Sequence, residues 1–359
     1  MITANAYLFH SESGIVNFFF NTPNAEKRVV QLTDWIRAQK ADIVFLQEVW
    51  QKPLFNKIAS RAGFPYTYHF SNVGGGNNDL AILSRYPLSN PRFEATQWQG
   101  SETDDCGKDL GGNFRTGLAT ITANIKGKEV LLANVHPMHR RPDEDNFDEP
   151  ISEFTPERVI QIVEISQLLK SQMKGQPVIF GGDFNFHTGQ REDEVFRRLF
   201  KMGDSSDILA KKYGSKACTY CEDNPINQEN EAPGEGVLDH VFVNDEIELV
   251  DATIAYPVPN FSDHQPLVTL LRLAPPVTGP APTSTNPVNY VPLTSHEIAG
   301  LLSYLGDVSF SFPACFFSQL GGANVRGATA FLRNLQPEPT PRPEPQPTQE
   351  ETLLSQLSQ

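Results

Sequence analysis

The chain has 359 residues, of which 39% are hydrophobic, so it can bury the core of one large domain or of two ordinary ones. Its formal net charge is -14, and its largest basic clusters are the short pairs at residues 140–141 and 197–198. An acidic surface repels polyanions, so the charge disfavours nucleic acid as a partner. No apolar run reaches the ~18 residues of a spanning helix, so we expect no transmembrane segment.

The first part of the chain predicts a strand, a helix and a second strand. Residues 1–9 alternate as a strand does and leave no room for a signal peptide. The compartment therefore stays open between the cytoplasm and export from a bacterium. In residues 24–39, apolar side chains recur on one helical face: Val29, Leu32, Trp35 and Ile36. Residues 41–50 are a short run rich in Ile, Val and Phe, which predicts a buried strand.

Further strands and one long helix are predicted between residues 80 and 273. The strand-like segments are 80–88, 117–125, 128–136, 176–186, 236–244, 249–258 and 266–273. Thr155, Pro156 and Glu157 mark the start of a helix that ends near Gly175. Its apolar stripe consists of Val159, Ile162, Val163, Ile165, Ser166 and Leu169. The order of these elements is typical of an α/β protein with mixed sheets packed between helices.

The composition divides the chain after residue 273. Residues 1–273 form the main domain, and residues 274–293 have the Pro, Thr, Ser and Asn content of a linker. Residues 294–335 become apolar again and predict a small helical appendage, with an interfacial membrane or partner element as the alternative. Residues 336–359 are rich in Pro, Glu and Gln, which predicts a disordered acidic tail.

The four cysteines are too few and too scattered for a disulfide scaffold: Cys106, Cys218, Cys221 and Cys315. Cys218 and Cys221 have CxxC spacing, but no second CxxC and no histidine pair follows to complete a zinc site. Two ordinary thiols or a local disulfide are therefore favoured over metal or redox chemistry.

Polar residues follow several predicted strands, at the points where loops present side chains to a shared cleft. Glu48 follows a buried strand, where it is either a solvated strand end or a ligand of a hard metal ion. Asp183 and Asn185 lie two apart, so both side chains point to one side of an extended backbone, and the preceding glycines leave space for a ligand or a tight turn. An Asx turn is the alternative for this pair.

The other candidates stand at strand ends as well: His136, Asp239, Asp263 and His264. For His136, a hydrogen-bonded histidine at a strand terminus is the alternative. Carboxylates and an amide without cysteine favour Mg²⁺, with Mn²⁺ as the alternative, over zinc. A phosphoryl centre needs a cation, a base for the attacking water, and donors that fix the in-line geometry. This set of residues supplies all three.

The ordered motifs resemble those of a known superfamily. The chain contains, in that superfamily's order and at its approximate spacings, "QEVW", "LAILSRYPL", "NVH", "GGDFN", "LDHVF" and "SDHQPL". It resembles the DNase I-like endonuclease/exonuclease/phosphatase superfamily over residues 2–273, and is most similar within it to neutral sphingomyelinases. The resemblance implies a four-layer α/β sandwich of two mixed β-sheets flanked by helices.

The resemblance also implies roles for the candidate residues. Glu48 would hold Mg²⁺, with Asn5 nearby as the asparagine of the first strand, and Asp263 would support the metal and His264. His264, oriented by Asp239, would be the general base, and a pKa near the working pH suits histidine for that task.

The remaining roles concern the phosphate. By the resemblance, His136 would stabilise the pentacovalent phosphate or protonate the leaving oxygen, while Asp183 and Asn185 would position water and phosphate. Mammalian sphingomyelinases carry an aspartate and a lysine before the strand at 117–125; this chain has Asp109 and Arg115 there, and Arg115 can hold a phosphate through two hydrogen bonds.

A second departure from the pattern is Asp79, which stands where glycine is common in the superfamily. The function that the resemblance implies is Mg²⁺-dependent hydrolysis of a phosphodiester, by a sphingomyelinase-like phospholipase C that contacts the membrane peripherally and releases a phospholipid head group. Two alternatives stay open: a nuclease or phosphoinositide phosphatase with the same chemistry, and a non-catalytic binding scaffold. The sequence does not determine the oligomeric state.

Overall fold

The computed structural model describes residues 1–8, 22, 24–71, 73, 78–96, 115–137, 156–189, 193, 196–197, 199–200, 202–229, 235–255 and 261–273. The linker, appendage and tail predicted for residues 274–359 lie outside the described residues, as do Asp109, Cys106 and Cys315. None of the helices within these ranges is long and apolar enough to cross a membrane.

The described residues form two mixed six-stranded sheets. The first sheet contains β1 (Ile2–Asn5), β2 (Ile43–Gln47), β3 (Tyr66–His69) and β4 (Ala81–Ser84). The second sheet contains β5 (Leu88–Ala95), β6 (Gly117–Ile125), β7 (Lys128–Val135), β8 (Val178–Asp183), β9 (Gly203–Asp204) and β10 (Asp239–Val243). Strands β11 (Ile247–Ile254) and β12 (Leu267–Leu273) complete the first sheet, whose spatial order is β11-β12-β1-β2-β4-β3. The order in the second sheet is β5-β6-β7-β8-β10-β9.

Five helices within the described residues flank the two sheets. They are α1 (Ala25–Gln39), α2 (Lys52–Ala62), α3 (Pro156–Gln172), α4 (Ser205–Tyr213) and α5 (Pro225–Glu229). Helices α1 and α2 pack on the first sheet, α3 packs on β6, and α4 packs on β10 and β11. The predicted four-layer sandwich of two mixed sheets between helices is therefore confirmed.

The apolar run of β2 follows from its position between two layers. Ile43 and Phe45 lie in the core between the two sheets, whereas Val44 and Leu46 lie in the core beneath α1 and α2. Successive side chains of a strand point to opposite faces, so a strand with both faces buried needs apolar residues throughout. The run therefore fixes β2 at the centre of the sandwich.

The predicted helices are present where the periodicity placed them. In α1, Val29, Leu32 and Ile36 are buried as predicted, and Trp35 packs at their edge. In α3 the described part of the predicted stripe is buried: Ile162, Val163, Ile165, Ser166 and Leu169. Helix α2 was not predicted, although its buried Leu54 and Ile58 and the Pro at its first turn are helix signals.

Two details of the strand predictions are corrected by the structure. The segment 80–88 is not one strand, since β4 ends at Ser84 and β5 begins at Leu88. Pro87 has no N–H for a sheet hydrogen bond, so the chain turns between the two strands.

The glycines before Asp183 do not leave space for a ligand or a turn. Gly182 lies within β8 with φ of 146°, and a Cβ there would lie only 2.1 Å from the carbonyl oxygen of Val135 in β7.

Candidate active site

The candidate residues meet because strand ends from both sheets converge. Strands β1 and β2 are parallel, as are β7 and β8, so the carboxyl ends of each pair lie at the same edge of its sheet. Asn5 ends β1, Glu48 follows β2, and Asp183 ends β8. Asp239, which begins the antiparallel β10, is paired with Asp183. The sandwich therefore gathers these side chains at one place.

Asn5 links the two sheets within this cluster. Its Nδ2 donates to Glu48 Oε1 at 2.9 Å and to Asp183 Oδ2 at 3.0 Å. Its Oδ1 accepts the backbone N–H of Tyr7 at 2.9 Å, which fixes the orientation of the amide. Asn5 lies beside Glu48 as expected, but its NH₂ group faces the carboxylates, so in this arrangement it orients Glu48 instead of offering an oxygen to a metal.

His264 and Asp239 form a buried pair. Nδ1 of His264 lies 2.8 Å from Asp239 Oδ2, and Nε2 of His264 points into the site, 3.6 Å from Asp183 Oδ2. Burial lowers the pKa of His264, but the charges of Asp183 and Asp239 outweigh it and hold that pKa well above its ordinary value. The carboxylate on Nδ1 also fixes which ring nitrogen is available toward the cleft.

His136 approaches the same oxygen from another strand. Its Nε2 lies 3.7 Å from Asp183 Oδ2, and its Nδ1 lies 2.5 Å from Asp79 Oδ2. Asp79 Oδ2 also accepts the backbone N–H of Glu48 at 2.9 Å. Asp79 was not among the predicted site residues, although its departure from the superfamily glycine was a signal. The structure places it as the partner that orients His136.

Asp183 and Asn185 adopt the alternative arrangement for this pair. Asn185 has φ of 53°, and its backbone N–H donates to Asp183 Oδ1 at 2.9 Å, which is an Asx turn and not an extended backbone. The Asn185 amide donates to the carbonyl oxygen of Pro137 at 2.9 Å. The turn engages one oxygen of Asp183 and leaves Oδ2 facing both histidines. The predicted contact of Asn185 with phosphate stays a prediction.

Glu48 and Asp263 add two half-buried carboxylates to the site. Burial, followed by the charge of Asp263, raises the pKa of Glu48 to about 7. Burial also raises the pKa of Asp263, against the effect of His264. Ser262 Oγ donates to the carbonyl oxygen of Asn5 at 2.7 Å, which ties the Asp263 segment to β1. A cation stabilises a carboxylate whose pKa is raised by partial burial and by the charge of a second carboxylate.

The donor atoms of Glu48 and Asp263 fit Mg²⁺. Mg²⁺ in proteins often binds one or two carboxylates, and waters and substrate phosphate oxygens complete its octahedron. Among the described residues, no group of three or more His, Cys, Asp or Glu side chains has metal-binding geometry. A site with two carboxylates agrees with that finding, since a closed cage of protein ligands is typical of other metals.

Arg115 stands at the edge of the site. It lies two residues before β6, whose Leu118 pairs with Val135 of β7, so the start of β6 lies beside the segment that carries His136. Arg115 is half-buried there. This position agrees with the predicted phosphate contact, which stays a prediction.

The CxxC pair forms a disulfide between Cys218 and Cys221, one of the two expected arrangements. Between them lie Thr219 and Tyr220, which sequence reasoning did not single out. The Tyr220 ring packs edge-on against His264 with centroids 5.2 Å apart. Burial and then the charge of Asp263 raise the pKa of Tyr220, so its phenol stays protonated.

Comparisons with known proteins show the family to which the chain belongs. Residues 2–264 match the endonuclease/exonuclease/phosphatase family. The chain belongs to this family, whose members are hydrolases of phosphoric esters. No curated protein sequence matches it.

Solved structures share the fold at low identity. Sphingomyelinase C from Streptomyces griseocarneus is 15% identical with a TM-score of 0.57, and the match covers 75% of this chain and 97% of that one. A double mutant of beta toxin from Staphylococcus aureus with bound magnesium ions is 18% identical with a TM-score of 0.54, covering 74% and 97%. TDP2 from C. elegans is 18% identical with a TM-score of 0.51, covering 76% and 74%.

Proposed function

We propose that this chain is a Mg²⁺-dependent phosphodiester hydrolase of the phospholipase C type, which releases the phosphorylated head group of a choline phospholipid such as sphingomyelin. The observation that carries the chemistry is the convergence of two carboxylate-oriented histidines on one buried carboxylate oxygen. His264 and His136 stand 3.6 and 3.7 Å from Asp183 Oδ2. A base and an acid on either side of one phosphate are what in-line displacement requires.

In this mechanism, His264 acts in its neutral form, which its raised pKa shifts to the alkaline side of the ordinary histidine range, and it accepts a proton from the attacking water through Nε2. Asp239 holds Nδ1 and stabilises the imidazolium that forms, as the carboxylate of a catalytic triad does. Asp183 Oδ2 accepts a hydrogen bond from the same water and keeps it in line with the phosphorus. The backbone of His264 is fixed by Ser262, whose Oγ accepts its N–H at 3.1 Å.

His136 supplies a proton to the leaving oxygen through Nε2, because Asp79 occupies its Nδ1. Asn185 holds the Pro137 carbonyl, and thereby the loop that presents His136. Arg115, at the adjacent start of β6, binds a non-bridging phosphate oxygen. Glu48 and Asp263 would hold Mg²⁺, with Asn5 orienting Glu48, and the bound cation would neutralise the charge that develops on the phosphate.

The choice of a lipid substrate is supported by two observations. The net charge of -14 disfavours a nucleic acid, whereas a zwitterionic head group needs no basic groove. The motif layout is most similar to that of neutral sphingomyelinases, and structures with the fold include a sphingomyelinase C. Contact with the membrane is peripheral in this proposal. The family also includes endonucleases and exonucleases, so nuclease activity is the alternative to exclude.

The test of substrate class is release of phosphocholine from sphingomyelin vesicles. We expect release in the presence of Mg²⁺ and none with EDTA. Phosphatidylcholine vesicles, phosphoinositide vesicles and supercoiled plasmid are assayed in parallel. Nicking of plasmid, or release of inorganic phosphate from phosphoinositides, without release of phosphocholine would contradict the phospholipase C proposal. Hydrolysis of a phosphoric ester would still be supported by either result. Inertness toward all four would favour a binding scaffold.

A further inference from the structure

The disulfide between Cys218 and Cys221 closes a loop at the edge of the candidate active site; residues 218–221 are here called the disulfide loop. Its two inner residues each contact one member of the His264–Asp239 pair. Thr219 Oγ1 accepts the backbone N–H of Asp239 at 3.0 Å, and the Tyr220 ring packs edge-on against the imidazole of His264. The general base and its orienting carboxylate are therefore supported by one short loop.

The backbone of the disulfide loop is joined to the segment that carries His264. Tyr220 forms an antiparallel β-bridge with His264, and Gln265 N–H donates to the carbonyl oxygen of Thr219 at 2.6 Å. The Gln265 side chain reaches the disulfide itself, with Nε2 lying 3.1 Å from Sγ of Cys221. A change in the path of this loop therefore displaces Gln265, the residue that directly follows His264.

A third connection leads to the predicted metal side of the site. Asn227 Nδ2 donates to the carbonyl oxygen of Cys221 at 2.9 Å and to that of Asp263 at 3.0 Å. Asn224 Nδ2 donates to the carbonyl oxygens of Ser262 and Asp263, each at 3.0 Å. The disulfide loop, Asn224 and α5 are therefore joined by hydrogen bonds to the segment 262–264.

We propose that the disulfide loop is a positioning element for the His264–Asp239 pair, and that reduction of the Cys218–Cys221 disulfide lowers kcat for phosphodiester hydrolysis while substrate binding is retained. This inference rests on the proposed function of the same site. The cross-link restricts the conformations of the loop, and without it Thr219 and Tyr220 are held by hydrogen bonds and packing alone. A misplacement of ~1 Å in a catalytic group can cost ~100-fold in rate.

The disulfide is reached by thiols from one side. Cys221 is buried, whereas Cys218 is half-buried, so an attacking thiolate meets Sγ of Cys218 first and displaces the Cys221 thiolate. A second thiol of the reductant then attacks the mixed disulfide. In the complete exchange, the two thiols of dithiothreitol become its cyclic disulfide, and Cys218 and Cys221 each end as a protonated thiol.

The experiment compares the oxidised, reduced and reoxidised protein with the soluble substrate bis(p-nitrophenyl) phosphate in the presence of Mg²⁺. The full chain carrying Cys106→Ser and Cys315→Ser leaves only the Cys218–Cys221 pair to respond, and alkylation followed by mass spectrometry counts its thiols. We expect kcat to fall ~10-fold on reduction with KM within ~2-fold, and to recover on reoxidation. An unchanged kcat in protein with two free thiols would overturn the inference.

A second variant separates positioning from stability. Tyr220→Leu keeps the disulfide but removes the ring from His264, and we expect kcat to fall ~5-fold or more, with Tyr220→Phe close to wild type. Hydrogen exchange gives a readout that does not depend on activity: reduction should speed exchange in residues 236–241 and 262–266. Unaltered exchange there would also overturn the inference. If the oxidised wild-type protein is inactive but reduction still speeds hydrogen exchange in these two segments, the proposed function is contradicted and the inference about the loop is not.

Discussion

The carboxylate oxygen Oδ2 of Asp79 lies 2.5 Å from Nδ1 of His136, although the two residues are far apart in sequence. Burial lowers the pKa of His136, but the charge and hydrogen bond of Asp79 outweigh it and raise the pKa to about 10. His136 therefore carries a proton throughout the neutral range, which is the state that a general acid needs.

Replacing Asp79 by Asn should move the alkaline limb of the pH profile of kcat to lower pH. An acid acts only while protonated, so wild-type activity persists below the raised pKa of about 10 and is lost as the pH rises through it. Without the charge of Asp79, the pKa of His136 falls toward its ordinary 6.5, and the limb falls with it. The profile for bis(p-nitrophenyl) phosphate checks this, with Asp251→Asn on β11 as the control. Coincident limbs in the two variants would exclude His136 as the acid.

Replacing Glu48 by Gln should weaken Mg²⁺ binding by at least ~10-fold, since changes that only disturb a metal ligand already cost that much. Gln keeps an oxygen that can accept the Asn5 hydrogen bond, so the fold should be unaffected. Titration calorimetry with MgCl₂ measures the affinity. Glu129→Gln, which removes an exposed carboxylate from β7, is the matched control. Equal affinity in both variants would show that Glu48 does not hold the cation.

Replacing Arg197 by Met should destabilise the protein by about 3 kcal/mol, because it removes an ion pair from the buried carboxylate of Asp204. Arg197 Nη2 lies 2.5 Å from Asp204 Oδ2, and its other nitrogens bind Asp193 and Asp207. Urea denaturation measures the free energy of unfolding. Arg272→Met breaks an exposed pair with Glu248 and should cost under ~1 kcal/mol. Similar losses in the two variants would mean that the Arg197 network is not a structural anchor.

Replacing Gly182 by Ala should cost about 3–5 kcal/mol of stability, from backbone strain and overpacking together. Its φ of 146° and the approach of the Val135 carbonyl leave no room for a Cβ. Gly175 has φ of 84° with nothing within 4 Å of a built Cβ, so Gly175→Ala isolates the strain of positive φ. We expect about 1 kcal/mol for that control. Thermal melts of both variants provide the comparison, and a Gly182→Ala protein as stable as the control would refute the close β7–β8 packing.

Local sequence patterns predicted most of the strands and helices. The run in β2 and the stripes of α1 and α3 predicted buried elements because burial on one or two faces imposes a period on the sequence. The boundary between β4 and β5 was missed because apolar residues resume at Tyr86 directly after the polar Ser84 and Arg85, so the two strands look like one segment. Helix α2 was missed because its 11 residues carry only a short apolar stripe, formed by Leu54, Phe55, Ile58 and Ala62.

The site was predictable where a residue ends a strand. Parallel pairing brings the ends of β1 and β2, and of β7 and β8, to common edges, so Asn5, Glu48 and Asp183 could be grouped in advance. Asp79 could not, because its contact with His136 depends on how the segment before β4 approaches β7 across the sandwich. The CxxC spacing left two arrangements open, since four residues of sequence do not determine a thiol's oxidation state.

The most direct test of the central claim is the rate of bis(p-nitrophenyl) phosphate hydrolysis by the wild type and by His264→Ala, each with Mg²⁺ or with EDTA. The substrate carries no lipid, so the assay isolates the phosphodiester chemistry from the choice of natural substrate. We predict hydrolysis by the wild type that requires Mg²⁺ and falls at least ~100-fold in His264→Ala, the usual scale for loss of a general base. Hydrolysis at equal rates by both proteins, or at an unchanged rate in EDTA, would contradict the account.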